Sequence, residues 1–420
     1  MGSRRLRGGQ LRPQRGLIPS ANFAPNPRLL LEIVLILAIV VQKYGGSSVA
    51  DPEKIRQVAR HVAATQQSGR DVVVVVSAMG KTTENLLALA RSVATEPPRR
   101  ELDMLVSTGE RVTMALLSMA LTELSVAAVS FTGSQSGIIT NDRHFDAEII
   151  EVRPQRIWDE LARGRVVIVA GYQGMSEQRE ITTLGRGGSD TTAVALTAAL
   201  GAEQCEIYSD VDGIYSADPR SVPEARHLPT IDYETMQEMA ESGAKVLNAR
   251  AVAWAKRHRV VIHARKTADF AEHGRGRETR VEPSSAERVA IVVDRKLAWL
   301  HAPQAACVSL LQVITASGIP VRDAWLDGQT NLLLSLTSVP EFGGTAELLR
   351  AAGAACVRTD IAAVSAIGVG VGRLPDVLSR ALVCVPRTAL GTSLSPLRLC
   401  AVLPEEDAPG LERAWHALFG

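Results

Sequence analysis

The sequence predicts an α/β domain, built as a layered and mostly parallel sheet between helices, followed by a carboxyl-terminal α+β region. Short β-branched runs alternate with helical patterns through much of the chain, which is typical of the α/β class. The run Val72–Val76 is apolar at every position, as expected for a parallel strand covered on both faces. After the segment 264–288 the pattern changes to a weak internal repeat, which favours two small α+β units.

Composition limits the classes of function. At roughly 100–200 residues per domain, the 420 residues predict two to three domains. Hydrophobic residues make up 46% and charged residues 22%, which excludes a wholly disordered chain. The net charge of +1 and the 4% aromatic content argue against a nucleic-acid-binding protein. Five cysteines without a C-x-x-C pair predict reduced thiols in a cytoplasmic protein, rather than a zinc ribbon or a disulfide framework.

The first 37 residues are interpreted as a disordered tail, or as the result of a start codon placed too far upstream. Residues 1–28 contain six arginines and no acidic residue, so a transit peptide and a secretory signal are the alternatives. The apolar run Ile33–Val41 is shorter than the roughly 20 residues of a membrane span. It leads directly into a loop that begins at Lys43, and cleavage there would remove the strand that carries this loop.

Strand and helix signals follow in order along the chain. The expected strands are Ile33–Val41, Val72–Val76, Val126–Phe131, Val166–Ala170, Cys205–Tyr208 and Val260–His263. The expected helices are one that Asp51 caps and Pro52 begins, then 84–94, 101–122, Thr191–Leu200 and two within 232–258. The charged segment 264–288 marks a boundary, so we expect a first domain at 38–285. The remainder divides into units of about 286–352 and 353–420.

Two motifs follow the first two strands. Lys43-Tyr44-Gly45-Gly46-Ser47 offers a positive charge and two glycines, whose backbone amides can approach a phosphate. It is not a Walker A loop, because the G-x-x-x-x-G-K-[ST] pattern is absent. The segment Ser77–Thr83 places small and hydroxyl residues at the carboxyl end of a strand, where parallel sheets bind ligands. Each motif taken alone is also compatible with an ordinary turn.

Further segments add charge and glycine. Glu110, beside a glycine in a helical segment, could hold a substrate ammonium group. The segment Leu184–Thr192 predicts an anion-binding nest at a helix amino terminus, where Arg186 could clamp a carboxylate. Ser209–Arg220 is a long loop without the EF-hand register, and Lys245 lies near a helix start. Lysines, nests and a clamping arginine are what phosphoryl transfer needs, because it depends on positioning and charge neutralisation.

Six segments in this order resemble the aspartate kinases of the amino acid kinase family, over about residues 38–268. They are VQKYGGSSV, VVVVVSAMGKTTENLL, STGERV, TLGRGGSDTTA, SDVDGIYSADPR and GAKVLN. The carboxyl-terminal repeat is similar to the paired ACT domains that follow this kinase domain. The resemblance implies an amino acid kinase fold with a tandem ACT regulatory region. It also implies an enzyme that uses ATP and Mg2+ to convert L-aspartate to 4-phospho-L-aspartate, the first step toward lysine, threonine and methionine.

The resemblance also implies residue roles. The implied catalytic residues are Lys43 and Asp190. The implied substrate-binding residues are Ser47, Thr83, Glu110 and Arg186. The implied nucleotide-binding residues are Lys43, Tyr44, Gly45, Gly46, Ser209, Asp210, Tyr215, Arg220, Lys245 and Val246. The nucleotide is expected to hold the Mg2+, so no protein ligand is named. The ACT units imply a homodimer and a lysine or threonine effector.

Some positions depart from the family pattern. Asn248 stands where histidine is common, and Ser209 where threonine is frequent. In the ACT region, Asp327–Asn331 is followed by a plain leucine-rich strand, and Val383–Arg387 is also unusual, which leaves feedback inhibition open. Two alternatives remain for the whole chain. One keeps the fold but phosphorylates another acidic amino acid or a carbamate-like anion. The other is a non-catalytic regulatory subunit built on an inactive kinase domain.

Overall fold

The computed structural model describes residues 39–268, 276–284, 288–337, 339, 342–372 and 375–419. The predicted tail, residues 1–37, lies outside the described residues, as does the start of the predicted first strand. The strands before the carboxyl-terminal region are β1 (Ile39–Tyr44), β2 (Asp71–Val76), β3 (Ala128–Phe131), β4 (Ile138–Thr140), β5 (Ile149–Val152), β6 (Val166–Ala170), β7 (Gln173–Ser176), β8 (Ile181–Thr183), β9 (Gln204–Ser209), β10 (Ile214–Tyr215), β11 (His227–Leu228), β12 (Thr230–Ile231), β13 (Ile262–Lys266) and β14 (Glu278–Val281). The helices of the same region are α1 (Pro52–Gln67), α2 (Thr82–Val93), α3 (Arg99–Val106), α4 (Thr108–Glu123), α5 (Gln155–Leu161), α6 (Gly188–Leu200), α7 (Tyr233–Glu241) and α8 (Ala249–His258).

An eight-stranded sheet forms the centre of this region, in the order β12-β14-β13-β9-β1-β2-β6-β3. Every pairing from β13 to β3 is parallel, while β14 runs antiparallel to β13. The prediction of a mostly parallel sheet is therefore confirmed. Parallel strands present their carboxyl ends at one edge, so the loops that follow β1, β2, β6 and β9 meet there.

Both faces of the sheet are covered by helices. Alternate residues of β2 enter different apolar clusters: Val73 and Val75 pack with α6 and α8, while Val74 and Val76 pack with α1 and α4. This alternation follows from the two-residue period of a strand, and it explains why the run is apolar throughout. Asp51 caps α1 as predicted, since its side chain accepts a 2.9 Å hydrogen bond from the backbone amide of Lys54.

The single helix predicted over 101–122 is wrong, because the chain forms α3 and α4 with a break at Ser107. The Ser107 carbonyl accepts a 2.9 Å hydrogen bond from the side-chain amide of Gln173. Gly109, in the first turn of α4, lies so close to the preceding loop that a Cβ there would be 2.8 Å from Cβ of Ala78. Both contacts come from distant parts of the chain, so the local pattern could not show the break.

The carboxyl-terminal region contains two antiparallel sheets of four strands each. Its strands are β15 (Ala290–Asp294), β16 (Leu297–Pro303), β17 (Val321–Leu326), β18 (Gln329–Ser335), β19 (Cys356–Arg358), β20 (Ile361–Ile367), β21 (Gly391–Leu394) and β22 (Arg398–Pro404). Its helices are α9 (Cys307–Ser317), α10 (Gly343–Ala351), α11 (Pro375–Val383) and α12 (Ala408–Phe419). The sheet orders are β15-β20-β22-β21 and β17-β18-β16-β19.

The two sheets exchange strands across the predicted division at residue 352. β15, which lies in the predicted unit 286–352, pairs with β20 of the later part. β19, which lies in the predicted unit 353–420, pairs with β16 of the earlier part. Along the chain, β15 belongs to the first sheet, β16–β19 form the second sheet, and β20–β22 complete the first. Each sheet therefore contains a strand from the other predicted unit. Among the helices of the described ranges, none is both long and apolar enough to cross a membrane.

Two neighbouring leucines of α4 test the packing of the sheet. Leu117 is fully buried under the sheet, whereas 37% of Leu116 is exposed. We expect Leu117→Ala to lower the free energy of unfolding by roughly 2–5 kcal/mol, because it leaves a cavity. The matched variant Leu116→Ala should cost less than about 1 kcal/mol. Chemical denaturation of both variants measures the difference, and equal losses would contradict this packing.

Candidate active site

Backbone hydrogen bonds join the loops at the carboxyl edge of the sheet. The amide of Gly45, after β1, donates to the carbonyl of Tyr208 near the end of β9 at 3.1 Å. The amide of Gly80, after β2, donates to the carbonyl of Gly46 at 3.1 Å. The Ser48 hydroxyl lies 2.6 Å from that of Thr267, beyond the end of β13. The motifs that follow these strands are therefore parts of one site.

An ion pair lies at the base of this site. Lys43 is in β1, and its Nζ is 2.6 Å from Oδ1 of Asp190, which lies in the first turn of α6. Each residue is only 8% exposed. The structure therefore brings together two residues far apart in the sequence, as the resemblance implied for a lysine and an acid that orients it. An ammonium group held in this way can face an anion that enters the site.

Of the two glycines after β1, one leaves space beside the Lys43 ammonium group and the other allows close approach to the backbone of the loop after β2. A Cβ at Gly45 would lie 3.5 Å from Nζ of Lys43, and one at Gly46 would lie 2.9 Å from the Ala78 carbonyl oxygen. Gly187 directly precedes α6 as its N-cap residue and is in the left-handed region, with φ of 73°. The amides of Gly188, Asp190 and Thr191 donate to the carbonyls of Gly185 and Gly187, so what this helix terminus offers an anion is chiefly the positive end of the helix dipole.

Glu110 is a buried acid, and only one of its two carboxyl oxygens accepts a hydrogen bond from a described residue. It is 3% exposed, and Oε1 accepts a 3.1 Å hydrogen bond from the Ala78 amide. Within the described residues, Oε2 has no hydrogen-bond partner although it is buried. Burial raises the pKa of Glu110 from 4.5 to about 7, against the lowering effect of backbone hydrogen bonds. A cationic group of a ligand would complete this site.

Tyr172 is a residue of the site that the sequence analysis missed. Its backbone is in the left-handed region, with φ of 68°, which costs about 1–3 kcal/mol for such a residue. Its amide donates to the Thr192 hydroxyl of α6 at 3.2 Å, and its carbonyl accepts from the Leu184 amide at 2.9 Å. Burial raises the pKa of Tyr172 to about 12. The charge of Glu110 raises this pKa further, whereas the charge of Arg186 lowers it. Nothing in the local sequence signals this conformation.

Asp103 is a second missed residue, and it supports the site from α3. It is fully buried and accepts hydrogen bonds from the Thr183 hydroxyl, the Phe145 amide and a ring nitrogen of His144. These bonds hold the 144–146 loop against β8, next to the glycine-rich segment. An aspartate in a charged helical segment is most often solvated, so the sequence could not identify it.

Asn248, the departure from the family pattern, links two loops of the site. Its side-chain oxygen caps α8 by accepting from the amides of Arg250 and Ala251. Its side-chain nitrogen donates to the Arg186 carbonyl at 2.8 Å. A Cβ at Gly187 would lie 2.5 Å from the same nitrogen, so this approach requires glycine. Arg186 is exposed, and Asn248 holds it through its backbone carbonyl.

The segment 209–220 forms a folded loop after β9. The Tyr215 hydroxyl lies 3.0 Å from both carboxylate oxygens of Asp212. Arg220 forms a 2.7 Å ion pair with Asp218, and 87% of its side chain is exposed. A hydrogen bond from Arg220 lowers the pKa of Asp218, and the charge of Lys245 adds to this effect. Lys245 is therefore close to this loop.

The other predicted residues lie along the same edge. Ser47 is exposed and its carbonyl accepts a 3.0 Å hydrogen bond from the Lys54 ammonium group. Thr83 is half-buried in the first turn of α2. The Ser209 hydroxyl accepts from the Val211 amide at 3.3 Å, while Asp210 is exposed. Val246 packs against the main apolar cluster. Among the predicted site residues, the direct ionic contact is that of Lys43 with Asp190.

Comparison with known proteins gives consistent matches. The model of the amino acid kinase family matches residues 38–264. The aspartokinase of Mycolicibacterium smegmatis is 59% identical over 232 residues, which are 55% of this chain and 55% of that protein. The match thus spans about half the length of this relative. The aspartokinase of Thermus thermophilus is 41% identical over 401 residues, which cover 91% of this chain and 99% of that protein.

Among solved structures, E. coli aspartokinase III in complex with aspartate and ADP is similar to this chain. The TM-score is 0.77 at 25% sequence identity, and the match covers 90% of this chain and 99% of that one. The same E. coli enzyme in complex with lysine and aspartate matches with a TM-score of 0.73 over 91% of this chain. The likeness therefore extends through the carboxyl-terminal sheets.

The burial of Glu110 predicts a dependence of stability on pH. Because its pKa is raised on folding, the folded state retains a proton between pH 4.5 and about 7 that the unfolded chain has lost. Stability contributed by the protonated form is therefore lost as pH rises through this window, by up to about 3 kcal/mol. Glu110→Gln should remove this loss, so the variant without ligand should be the more stable protein at pH 8.

Denaturation of both proteins at pH 5 and pH 8 measures the effect. The exposed Glu84, on α2, provides the matched control Glu84→Gln. A variant at position 110 that gains no stability relative to the native protein between these two pH values would contradict the prediction.

Proposed function

The chain belongs to the amino acid kinase family and groups with its aspartokinases, and on this basis we propose that it transfers the terminal phosphoryl group of ATP to the side-chain carboxylate of L-aspartate. The product is the acyl phosphate 4-phospho-L-aspartate. The observation that carries the proposal is the buried Lys43–Asp190 pair, beneath a glycine-lined space and in the same site as a carboxylate with a free oxygen.

The chemistry requires little from acid–base groups. The acceptor carboxylate has an ordinary pKa of about 3.9, so it is already ionised at neutral pH and needs no general base. The difficulty is electrostatic, because an anion must approach the polyanionic ATP. Two unit charges 4 Å apart interact by about 4 kcal/mol at an effective dielectric constant of 20. Lys43, the amides after β1 and the amino terminus of α6 offset this repulsion by facing the transferred group.

The amino acid acceptor is recognised through its α-ammonium and α-carboxylate groups. Oε2 of Glu110 takes the α-ammonium group, since a cation is the partner that this buried oxygen lacks. Arg186 binds the α-carboxylate through its planar guanidinium. Thr83 and Ser47 lie on the neighbouring loops, where they contact the amino acid and its reacting carboxylate. The charges of Glu110 and Arg186 both act on the pKa of Tyr172, which supports a place for Tyr172 close to the bound amino acid.

The nucleotide fits the glycine-lined side of the site. Gly45 leaves the approach to Lys43 open, where a larger residue would place a Cβ 3.5 Å from the ammonium nitrogen. Tyr44 is the last residue of β1, and its fully buried side chain stacks on Tyr208, while Gly46 lies in the loop that follows. Lys245 with Val246 reaches the phosphates from the loop before α8. The segment that contains Ser209, Asp210, Tyr215 and Arg220 lines the nucleoside. Mg2+ is bound through the phosphates, whose oxygens are its preferred ligands, and it neutralises charge on the transferred group.

The carboxyl-terminal sheets are proposed to be paired ACT units that regulate the kinase. The E. coli relative was solved with lysine bound, which supports a lysine effector here, and threonine is the alternative. We also propose a cytoplasmic location, in keeping with five free cysteines.

Removal of the buried ammonium group tests catalysis. Lys43→Met should lower kcat by about 10²–10³-fold, because the charge that faces the developing negative charge is lost. The assay supplies ATP, Mg2+ and L-aspartate and traps the acyl phosphate with hydroxylamine. Lys256→Met, which removes a surface lysine paired with Glu234, is the control that should retain activity. Native protein that forms hydroxamate from other amino acids but not from aspartate would refute the acceptor.

The role of Glu110 predicts how aspartate binding depends on pH. Binding of the ammonium group needs the ionised carboxylate, and the pKa of Glu110 is about 7. The KM for aspartate should therefore rise as pH falls below 7, by up to roughly tenfold per unit. Glu110→Gln should have a high KM that no longer varies in this range. An unchanged KM in this variant would favour an acceptor without an α-ammonium group.

A homodimer is expected from pairing of the ACT units. Light scattering of the purified protein should give about twice the 44.9 kDa chain mass. A mass near 44.9 kDa at micromolar concentration would count against the dimer.

A further inference from the structure

The last helix of the chain contacts the loop proposed to bind the nucleoside. Two side chains of α12 make hydrogen bonds to serines, one within this loop and one directly after it. The Ser216 hydroxyl lies 2.9 Å from Nε2 of His416, and the Ser221 hydroxyl donates to Oε1 of Glu412 at 2.7 Å. Glu412 is 2% exposed and His416 is 8% exposed. These contacts join residues about 200 positions apart, from the two functional regions of the chain.

Apolar packing reinforces the polar contacts. Ala217 and Val222, on the inner side of the loop, belong to the same buried cluster as Leu411 and Trp415 of α12. The loop is thus part of the core of the carboxyl-terminal region, although its chain leaves the kinase sheet at β9. The backbone of β15 adds to this, because the Ile291 amide donates to the Ser216 carbonyl at 2.7 Å.

The contacts restrain the part of the loop that carries Tyr215 and Arg220. Ser216 directly follows Tyr215, and its hydroxyl also accepts a 2.8 Å hydrogen bond from the Arg226 amide. Ser221 directly follows Arg220. One serine therefore adjoins Tyr215 and the other adjoins Arg220, and α12 contacts both serines. A loop restrained at these two points loses less conformational freedom when it binds a ligand.

Glu412 is a costly group to place in such an interface. Its Oε2 is buried without a hydrogen-bond partner among the described residues, and burial raises its pKa. An apolar side chain would pack there without this cost. What the carboxylate adds is a directional bond that sets where Ser221 sits.

We propose that α12 holds the nucleotide loop in its binding conformation, so that Glu412 and His416 are positioning residues for ATP. The proposal rests on the proposed function of the loop itself. It assigns the carboxyl-terminal region a direct influence on nucleotide affinity, through contacts to the loop rather than to the ligand. Aspartate binds at the other loops, so its affinity should not depend on these contacts.

A double-mutant cycle tests the contact between Ser221 and Glu412. Ser221→Ala, Glu412→Ala and the double variant are prepared in the full-length chain, and the Kd for ADP is measured by calorimetry. Each single variant should raise this Kd by about five- to tenfold, as for the loss of one buried hydrogen bond. The double variant should bind ADP as the weaker single variant does, because the two residues act through one contact.

A conservative substitution at Glu412 and a substitution elsewhere on α12 distinguish the loss of loop positioning from a general loss of stability. Glu412→Gln keeps an oxygen that can accept from Ser221, so it should retain the native Kd. Ala417→Ser changes an exposed position of α12 and should have no effect. In all variants the KM for aspartate should stay within about twofold of the native value.

Three results would overturn the proposal: a native Kd for ADP in both single variants, additive effects in the double variant, or a parallel rise in the KM for aspartate. The binding measurement does not use the acceptor. Protein that binds ADP but does not phosphorylate aspartate would therefore refute the proposed reaction while leaving this inference intact.

Discussion

The buried contact between Lys43 and Asp190 is the interaction on which the rest of the site depends. A lysine that is 8% exposed must have an anionic neighbour, because the desolvation of an unpaired ammonium group is expensive. Asp190 provides this neighbour from the first turn of α6, where the helix dipole stabilises a negative charge. Since β1 contributes the lysine and α6 the acid, the pair also fixes the helix over the sheet. The glycines around it are necessary because an anionic ligand must reach the same ammonium group.

Two buried acids show how burial can serve different ends. Asp103 has several hydrogen-bond donors around it and holds a loop in place. Glu110 is equally enclosed, but one of its oxygens has no partner in the described part of the chain. Burial raises the pKa of both acids, but at Asp103 hydrogen bonds from Thr183, His144 and Phe145 oppose this effect, whereas Glu110 has only backbone donors to oppose it. The oxygen of Glu110 that lacks a partner is the reason for proposing that this residue binds a cationic group of the substrate.

The carboxyl-terminal sheets join the kinase region through charged as well as apolar contacts. Arg398 lies 3.3 Å from Glu238 of α7 and also pairs with Asp323 of β17. Arg322 lies 3.0 Å from Asp294 of β15. All five side chains are largely buried, so they fix the relative placement of the elements that carry them more strictly than surface pairs would. α12 contacts the loop of Tyr215, and a Cβ at Gly243, two residues before Lys245, would lie 2.7 Å from Cβ of Asp294 in β15. The carboxyl-terminal region therefore lies against both proposed nucleotide loops.

Local sequence determined much of this protein. The apolar runs predicted the parallel sheet, because a strand covered on both faces is apolar throughout. The anion site predicted from the glycine-rich segments after strands stays a prediction. Lys43, Asp190 and Glu110 were identified in the same way, with the family resemblance supplying their roles. The break at Ser107 depends on the tertiary structure, because the side-chain amide of Gln173, in the distant strand β7, donates a hydrogen bond to the Ser107 carbonyl.

The tertiary structure also decided four further features. They are the oxygen of Glu110 that lacks a partner, the left-handed backbone of Tyr172, the exchange of β15 and β19 between sheets, and the contact of α12 with the nucleotide loop. Each feature depends on residues far apart in the sequence. Hydrophobic periodicity and secondary-structure propensity are local properties, so they do not predict which distant residues come into contact.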